Sequence, residues 1–222
     1  MKMVIKKIFD KLGFGIFKKS SKSDQIPLVS RRIHQILFYD EIIKKIRKLD
    51  GCIVECGVGF GRSAFIIAEI LQIYRKNADF YLFDTFSGFP KLETEDKEVK
   101  NIYEGYYNAP LDDVKKFFFN SKISQNINII FKKGDIKKKL DIFNPKISLL
   151  HLDLDIVSSY DFALGKLVNN IQKGGIVIID EYNSKKWFNI KECVDRHLKK
   201  EDFEKVISKF SLFNRVYFIK KY

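Results

Sequence analysis

A glycine-rich turn between a short strand and a helix is the feature that most constrains how this chain folds. The stretch VECGVGFGRSAF, residues 54–65, follows a β-branched run and leads into apolar residues at helical spacing over 63–74. Gly57, Gly59 and Gly61 occupy alternate positions in it. Because glycine lacks a Cβ atom, the backbone there turns sharply and approaches a ligand closely. The pattern predicts a nucleotide site at a strand-to-helix turn, although a tight turn without a ligand gives the same spacing.

Strand-like and helix-like segments alternate along the rest of the chain. The strand-like runs are CIVEC (52–56), DFYLFD (79–84), INIIFK (127–132), ISLLHLDLD (147–155) and IVIIDE (176–181). Helix-like segments cover 111–120 and 159–171, and a third, at 187–200, precedes two closing strands. Strands separated by helices predict βαβ units, and therefore an α/β fold with a mostly parallel sheet.

The length and the hydrophobic content of the chain indicate how many domains it forms. A chain of 222 residues, 45% of them hydrophobic, is long enough for one well-buried domain. We place this domain at 31–222, with the irregular polar segment 85–110 as a lid-like insertion. Residues 1–30 form a basic segment whose start predicts a short amphipathic helix. Such a helix packs on the domain, stays disordered or touches a membrane surface or partner.

The net charge of +13 is compatible with an anionic partner. Lysines spread along the whole chain favour instead a general compositional bias. The cysteines, Cys52, Cys56 and Cys193, match no spaced metal set, which indicates a reducing compartment. No apolar run approaches the length of a transmembrane helix. These features predict a cytoplasmic protein.

Acidic residues at the ends of two strand-like runs indicate a site for a divalent cation. In HLDLD, the period-two alternation of a strand places His151, Asp153 and Asp155 on one face. Asp180 and Glu181 end the following strand, so four carboxylates converge at the carboxyl edge of the sheet. Unpaired carboxylates raise one another's pKa values. A divalent cation that prefers oxygen ligands, Mg²⁺ or a similar ion, removes this repulsion. The alternative is a structural network with nearby lysines.

Four motifs together resemble those of the macrocin O-methyltransferase family, which belongs to the class I S-adenosylmethionine-dependent methyltransferases. They are VECGVGFGRSA, FYLFDTFSGFP, LLHLDLDIVSS and GGIVIIDEYN, in this order. The resemblance implies a Rossmann-like fold: a mostly parallel seven-stranded sheet with helices on both faces and a C-terminal antiparallel strand pair. It also implies methyl transfer from S-adenosylmethionine to a sugar hydroxyl, in the biosynthesis of a surface polysaccharide or a glycosylated metabolite.

The same resemblance implies roles for individual residues. The cofactor-binding set is Glu55, Gly57, Gly59, Ser63, Asp84 (at the ribose) and Asp135 (near the adenine). The metal set is Asp153, Asp180 and Glu181, and the catalytic set is Asp153 with Asp155 as the general base. Family members usually carry Asp where this chain has Glu181, and an aromatic residue where it has Val157.

Several functional alternatives remain open at the level of sequence. The acceptor is a sugar or a nucleotide-sugar, and the protein is expected to be a homo-oligomer, a homodimer in the simplest case. A metal-dependent methyltransferase of an aromatic diol, an RNA methyltransferase and a non-catalytic binding domain are the alternatives. The stretch DTFSGFP favours the sugar. An RNA-binding module is not evident, so we expect no nucleic-acid partner.

Overall fold

The computed structural model describes residues 22–74, 77–119, 123, 127–210 and 215–222, with the backbone alone for 22–29. The predicted amphipathic start of the chain, residues 1–21, lies outside them. No helix in the described part of the chain is long and apolar enough to cross a membrane.

One seven-stranded sheet organises the described residues, in the order β3-β2-β1-β4-β5-β7-β6. The strands are β1 Cys52–Cys56, β2 Ala78–Asp84, β3 Ile127–Lys133, β4 Ile147–Leu152, β5 Ile171–Ile179, β6 Phe203–Ile207 and β7 Val216–Lys220. Strands β1 to β5 are parallel, whereas β7 pairs antiparallel with both β5 and β6. The predicted α/β class, with a mostly parallel sheet and a C-terminal antiparallel pair, is confirmed.

Helices cover both faces of this sheet. They are α1 Lys22–Ile46, α2 Arg62–Ile73, α3 Leu111–Phe119, α4 Ile136–Lys139, α5 Val157–Leu167 and α6 Ile190–His197. Helices α1, α2 and α3 bury apolar side chains in one core, and α4, α5 and α6 do so in the other. Both faces of the central strands are therefore covered, which explains why CIVEC and ISLLHL are buried at every position. Helix α1 runs across the predicted domain boundary at residue 30.

Two local predictions are wrong. Strand β4 ends at Leu152, so Asp153 and Asp155 do not share a strand face with His151. The chain turns at once after the strand, and Asp155 adopts a left-handed φ of 62°. Helix α5 ends at Leu167, before the predicted end at residue 171, and Ile171 is the first residue of β5. The second error arises because pairing of Ile171 with Ile147 of β4 extends β5 toward its N-terminus.

Candidate active site

A cavity of about 670 Å³ opens at the carboxyl ends of the central strands. It lies where the strand order reverses between β1 and β4, the position at which open α/β sheets bind ligands. Its volume is within the range of small-molecule sites, roughly 300 to 1,000 Å³. The glycine-rich turn, the acids after β4 and β5, segment 85–110 and helix α1 all contribute to its wall.

The glycines of the turn serve different purposes. A Cβ atom on Gly57, where φ is +86°, would lie 1.7 Å from the carbonyl oxygen of Asp153. Only glycine therefore lets β1 pass this close to the end of β4. Gly59 also has a positive φ, +50°, but a Cβ there would meet nothing within 4 Å. Gly59 faces the open cavity, and its missing side chain leaves space for a ligand against the backbone.

Asp84, at the end of β2, holds the turn in shape. Its Oδ2 accepts hydrogen bonds from the backbone N–H groups of Val58, at 2.8 Å, and Gly59, at 2.9 Å. Its Oδ1 accepts from the N–H of Phe86 at 2.6 Å. Asp84 also lines the cavity. The predicted ribose contact thus comes from a carboxylate whose position is fixed by three backbone donors.

Of the other predicted cofactor residues, Ser63 lines the cavity, whereas Glu55 and Asp135 do not. Ser63 lines the cavity and donates a hydrogen bond to Glu55, which lies fully buried beneath the wall. Glu55 faces His151 across β1 and β4, with Oε1 3.5 Å from Nδ1. Burial lowers the pKa of His151, but the Glu55 carboxylate opposes it and the net shift is upward. Asp135 caps α4 by accepting from the N–H of Lys137 at 3.0 Å.

The acids after β4 and β5 form two adjoining sets that share Asp153. In each set the potential ligand atoms lie within 4.8 Å of one another. One set is His151, Asp153 and Asp180, and the other is Asp153, Asp155 and Glu181. The other two predicted metal residues, Asp180 and Glu181, are therefore each next to Asp153, but they belong to different sets. The donors are mainly carboxylate oxygens, which fit a hard divalent cation.

The pKa values of these acids reflect their crowding. Burial and the nearby Asp180 raise the pKa of Asp153 to about 8. Burial also raises the pKa of Asp155 to about 6, against the opposing charge of Lys186. Burial and Asp153 raise the pKa of Glu181 well above its usual range. A bound cation would reverse these shifts, because it stabilises the ionised carboxylates.

Two side chains that the sequence analysis missed hold the acids in place. The guanidinium of Arg215 lies 3.0 Å from Asp180 and packs over the ring of Phe38. The hydroxyl of Tyr160 donates to the Glu181 carboxylate. No motif marks Arg215, which precedes β7. Tyr160 lies between Ser159 and Asp161 in α5, and no motif marks it either.

Segment 85–110 forms the aromatic wall of the cavity and is anchored beside the acids. Tyr106 and Tyr107 line the cavity together with Trp187. At the anchor, the buried Asp96 accepts hydrogen bonds from the backbone N–H of Ser158 at 2.9 Å and from its hydroxyl at 2.6 Å. The sequence analysis missed this anchor, because Asp96 is one of several charged residues in a polar segment and nothing in the pattern distinguishes it.

Comparisons with known proteins agree with this geometry. The family profile described as Macrocin-O-methyltransferase (TylF) matches residues 29–220. A curated relative from Streptomyces olivaceus is 27% identical over 139 residues, which cover 60% of this chain and 53% of the relative. It is an 8-demethyl-8-(2,3-dimethoxy-alpha-L-rhamnosyl)-tetracenomycin-C 4'-O-methyltransferase. The match thus spans about half of that relative's length.

Solved structures share the fold at low identity. The O-methyltransferase NovP superposes with a TM-score of 0.73 at 20% identity, covering 86% of this chain and 81% of its own. The calicheamicin methyltransferase CalS11 gives a TM-score of 0.73 at 21% identity, covering 99% of this chain and 91% of its own. Its apo structure, with a TM-score of 0.63, is described as that of a TDP-rhamnose 3'-O-methyltransferase.

Proposed function

Because the chain belongs to the macrocin O-methyltransferase family, we propose that it transfers a methyl group from S-adenosylmethionine to a sugar hydroxyl. The acceptor belongs to a surface polysaccharide precursor or a glycosylated metabolite. The observation that carries the proposal is one cavity that joins the glycine-rich turn to the acids after β4 and β5. The sugar named in the Streptomyces olivaceus relative supports the choice of acceptor.

The glycine-rich end of the cavity fits the cofactor. Gly57 and Gly59 give it a backbone surface without side chains, Ser63 reaches it from α2, and Asp84 lines it beside the turn. Glu55 contributes indirectly by accepting the hydrogen bond of Ser63. Asp135 also contributes indirectly. It caps α4, and its neighbours in sequence, Gly134 and Ile136, line the cavity. S-adenosylmethionine, when bound, supplies a methyl group activated by its sulfonium centre.

The acidic end fits a divalent cation such as Mg²⁺, held by Asp153, Asp180 and Glu181. Such a cation supplies Lewis-acid polarisation of the acceptor oxygen. Tyr160 orients the carboxylate of Glu181, as partners of metal-binding residues do in other proteins. The Arg215 guanidinium pairs with Asp180 and competes with the cation for that carboxylate. The Glu181 side chain is longer than the Asp usual in the family, and the hydrogen bond from Tyr160 fixes where its carboxylate lies.

Asp155 is the general base in this mechanism. Its carboxylate takes the proton of the acceptor hydroxyl as the methyl group is transferred. Burial raises its pKa to about 6 in the absence of a cation, and a bound cation would lower it, so the carboxylate is ionised at neutral pH and can accept the proton. Tyr106, Tyr107 and Trp187 line the cavity, where they orient the sugar and exclude water.

A methyl-acceptance assay tests this function. The protein is incubated with S-adenosylmethionine, and formation of S-adenosylhomocysteine is measured with free sugars, nucleotide-sugars, a catechol and RNA, each with Mg²⁺ or with a chelator. We expect turnover with a sugar acceptor that depends on Mg²⁺ and is lost in Asp155→Asn. Turnover with the catechol or the RNA alone contradicts the proposal. The cytoplasmic location and the homodimer stay predictions from the sequence.

A further inference from the structure

Helices α5 and α6 carry three potential metal ligands where they pack against each other. Asp161 lies on α5, and Cys193 and His197 lie on α6. Cys193 and His197 are four residues apart, so they share one face of their helix. The spacing of the cysteines along the chain does not reveal this set, because Asp161 precedes Cys193 by 32 residues and only the packing of the two helices brings them together.

The three side chains meet at one oxygen atom. Asp161 Oδ1 lies 3.6 Å from Cys193 Sγ and 2.9 Å from His197 Nε2. The three potential ligand atoms all lie within 4.8 Å of one another. A tetrahedral Zn²⁺ ion, with bonds of about 2.3 Å to sulfur and about 2.1 Å to nitrogen and oxygen, holds such ligand atoms about 3.3 to 3.6 Å apart. Small rotations of the side chains therefore bring the three atoms to the separations that zinc requires.

The surroundings of the set leave a path for a metal ion. Cys193 is buried, so the core fixes the position of its sulfur. Asp161 is exposed and also pairs with Arg196, whose guanidinium lies 3.2 Å from the same Oδ1. Because Arg196 is itself exposed, it can move to the second carboxylate oxygen or into solvent when a metal ion binds. The exposed side also leaves the fourth tetrahedral position to water.

The ligand types distinguish this set from the acids of the cavity. None of its three residues lines the cavity, where the potential ligands are mainly carboxylate oxygens. Carboxylates suit Mg²⁺, whereas a thiolate combined with an imidazole and a carboxylate suits Zn²⁺. Without a metal Cys193 is a thiol, since burial and the charge of Asp161 raise its pKa to about 12. Binding therefore forms a metal–sulfur bond and releases the thiol proton to solvent.

We propose that Asp161, Cys193 and His197 form a zinc site that joins α5 to α6. The site is separate from the proposed magnesium site. Helix α5 follows the acids after β4, and α6 follows those after β5. A Zn²⁺ ion bound between the two helices thus stabilises the elements that follow both groups of acids. The inference does not depend on methyl transfer, because metal binding is measured on the protein without substrates.

Cobalt substitution tests the site, because a cobalt–thiolate bond gives a charge-transfer band in the near ultraviolet and cobalt–carboxylate bonds do not. The full chain is stripped of metal with EDTA, transferred to a buffer with a thiol-free reductant and excess Mg²⁺, and titrated with Co²⁺. We expect the band to saturate at one Co²⁺ per chain and to disappear when Zn²⁺ is added, since Zn²⁺ binds such ligands more tightly.

Two variants remove one ligand each. Cys193→Ser should abolish the band, because the thiolate is lost. His197→Gln alters a half-buried position at the end of α6 and should weaken Co²⁺ binding about tenfold or more. This second variant keeps the test valid if the buried substitution prevents folding.

The matched control is Cys52→Ser, which removes a buried thiol that belongs to none of the potential metal sets among the described residues. It should keep the band and a Co²⁺ affinity within about twofold of the wild type. Melting temperature gives a readout without cobalt. Zn²⁺ at about 100 times its dissociation constant should raise the melting temperature of the wild type and of Cys52→Ser by about 5 °C or more, and that of Cys193→Ser by less.

Three results overturn the zinc site: no thiolate band in the wild type at saturating Co²⁺, a band that survives in Cys193→Ser, or wild-type Co²⁺ affinity in His197→Gln. Each of them leaves the proposed methyl transfer intact, because that function is measured separately with S-adenosylmethionine and Mg²⁺.

Discussion

Replacing Gly57 and Gly59 separately by alanine should give opposite phenotypes, although the two residues are neighbours in one motif. Both have a positive φ, which costs an alanine about 1 to 2 kcal/mol. At Gly59 the added methyl group meets no protein atom within 4 Å. The conformational cost should therefore be nearly the whole loss of stability in Gly59→Ala.

At Gly57 the methyl group would lie 1.7 Å from the Asp153 oxygen, and β1 must separate from the end of β4 to admit it. That movement strains two hydrogen bonds of 2.9 Å, from Gly57 N–H to the Phe83 carbonyl and from Asp153 N–H to the Cys56 carbonyl. Each contributes about 0.5 to 1.5 kcal/mol. Gly57→Ala should thus lower the free energy of unfolding by about 1 to 3 kcal/mol more than Gly59→Ala does.

Urea denaturation of both variants, followed by circular dichroism, measures the difference in unfolding free energy. Calorimetry measures the affinity of both variants for S-adenosylhomocysteine, because the methyl group at Gly59 occupies space proposed for the cofactor. We expect Gly59→Ala to retain its fold and lose at least about tenfold in affinity. Equal stabilities of the two variants would show that the close approach of Gly57 to Asp153 does not constrain the fold.

Three further predictions concern the acids. Asp155→Asn should reduce turnover by about 100-fold or more while S-adenosylhomocysteine affinity stays unchanged, and loss of both argues against a base. Wild-type turnover with Mg²⁺ should reach its plateau below about pH 6, because the cation lowers the Asp155 pKa from the value of about 6 that burial gives it. Arg215→Met should lower the cation-free unfolding free energy by about 2 kcal/mol yet tighten Mg²⁺ binding in calorimetry, because the competing cation is gone; weaker Mg²⁺ binding contradicts this. Without divalent cation, the stability contributed by protonated Asp153 is fully present below pH 3.8 and is lost as the pH rises to about 8. Melting temperatures in EDTA at pH 5 and pH 8 measure that loss, and a higher value at pH 8 refutes it.

The sequence predicts those parts of the fold that depend on local periodicity. CIVEC and the strand ending at Asp84 lie within a few residues of their predicted bounds, and the two closing strands are present, because buried strands alternate with amphipathic helices. The acids at 153, 155, 180 and 181 are also predicted to converge, since parallel strands end at one edge. Their geometry is not predicted, because the chain leaves β4 at Leu152 and Asp155 enters a left-handed turn.

Contacts between residues that are distant in the chain are the other part of the structure that the sequence does not predict. Arg215 reaches Asp180 only because β7 inserts between β5 and β6, an order that no local pattern reveals. Arg31 and Arg32 of α1 line the cavity, although the sequence analysis placed the boundary of the domain beside them. Long-range topology, and not residue type, decides these contacts.

The hydrogen bonds of Asp96 connect segment 85–110, the aromatic wall of the cavity, to the helix that follows the acids after β4. The Asp96 carboxylate binds the first turn of α5, a few residues after Asp153 and Asp155. Lifting the whole segment would break these bonds and expose the buried Asp96 side chain, so we expect the segment to stay attached at this point when it moves. Entry and exit of the acceptor would then involve the tyrosine-bearing arm of the segment, while the acids keep their alignment through each catalytic cycle.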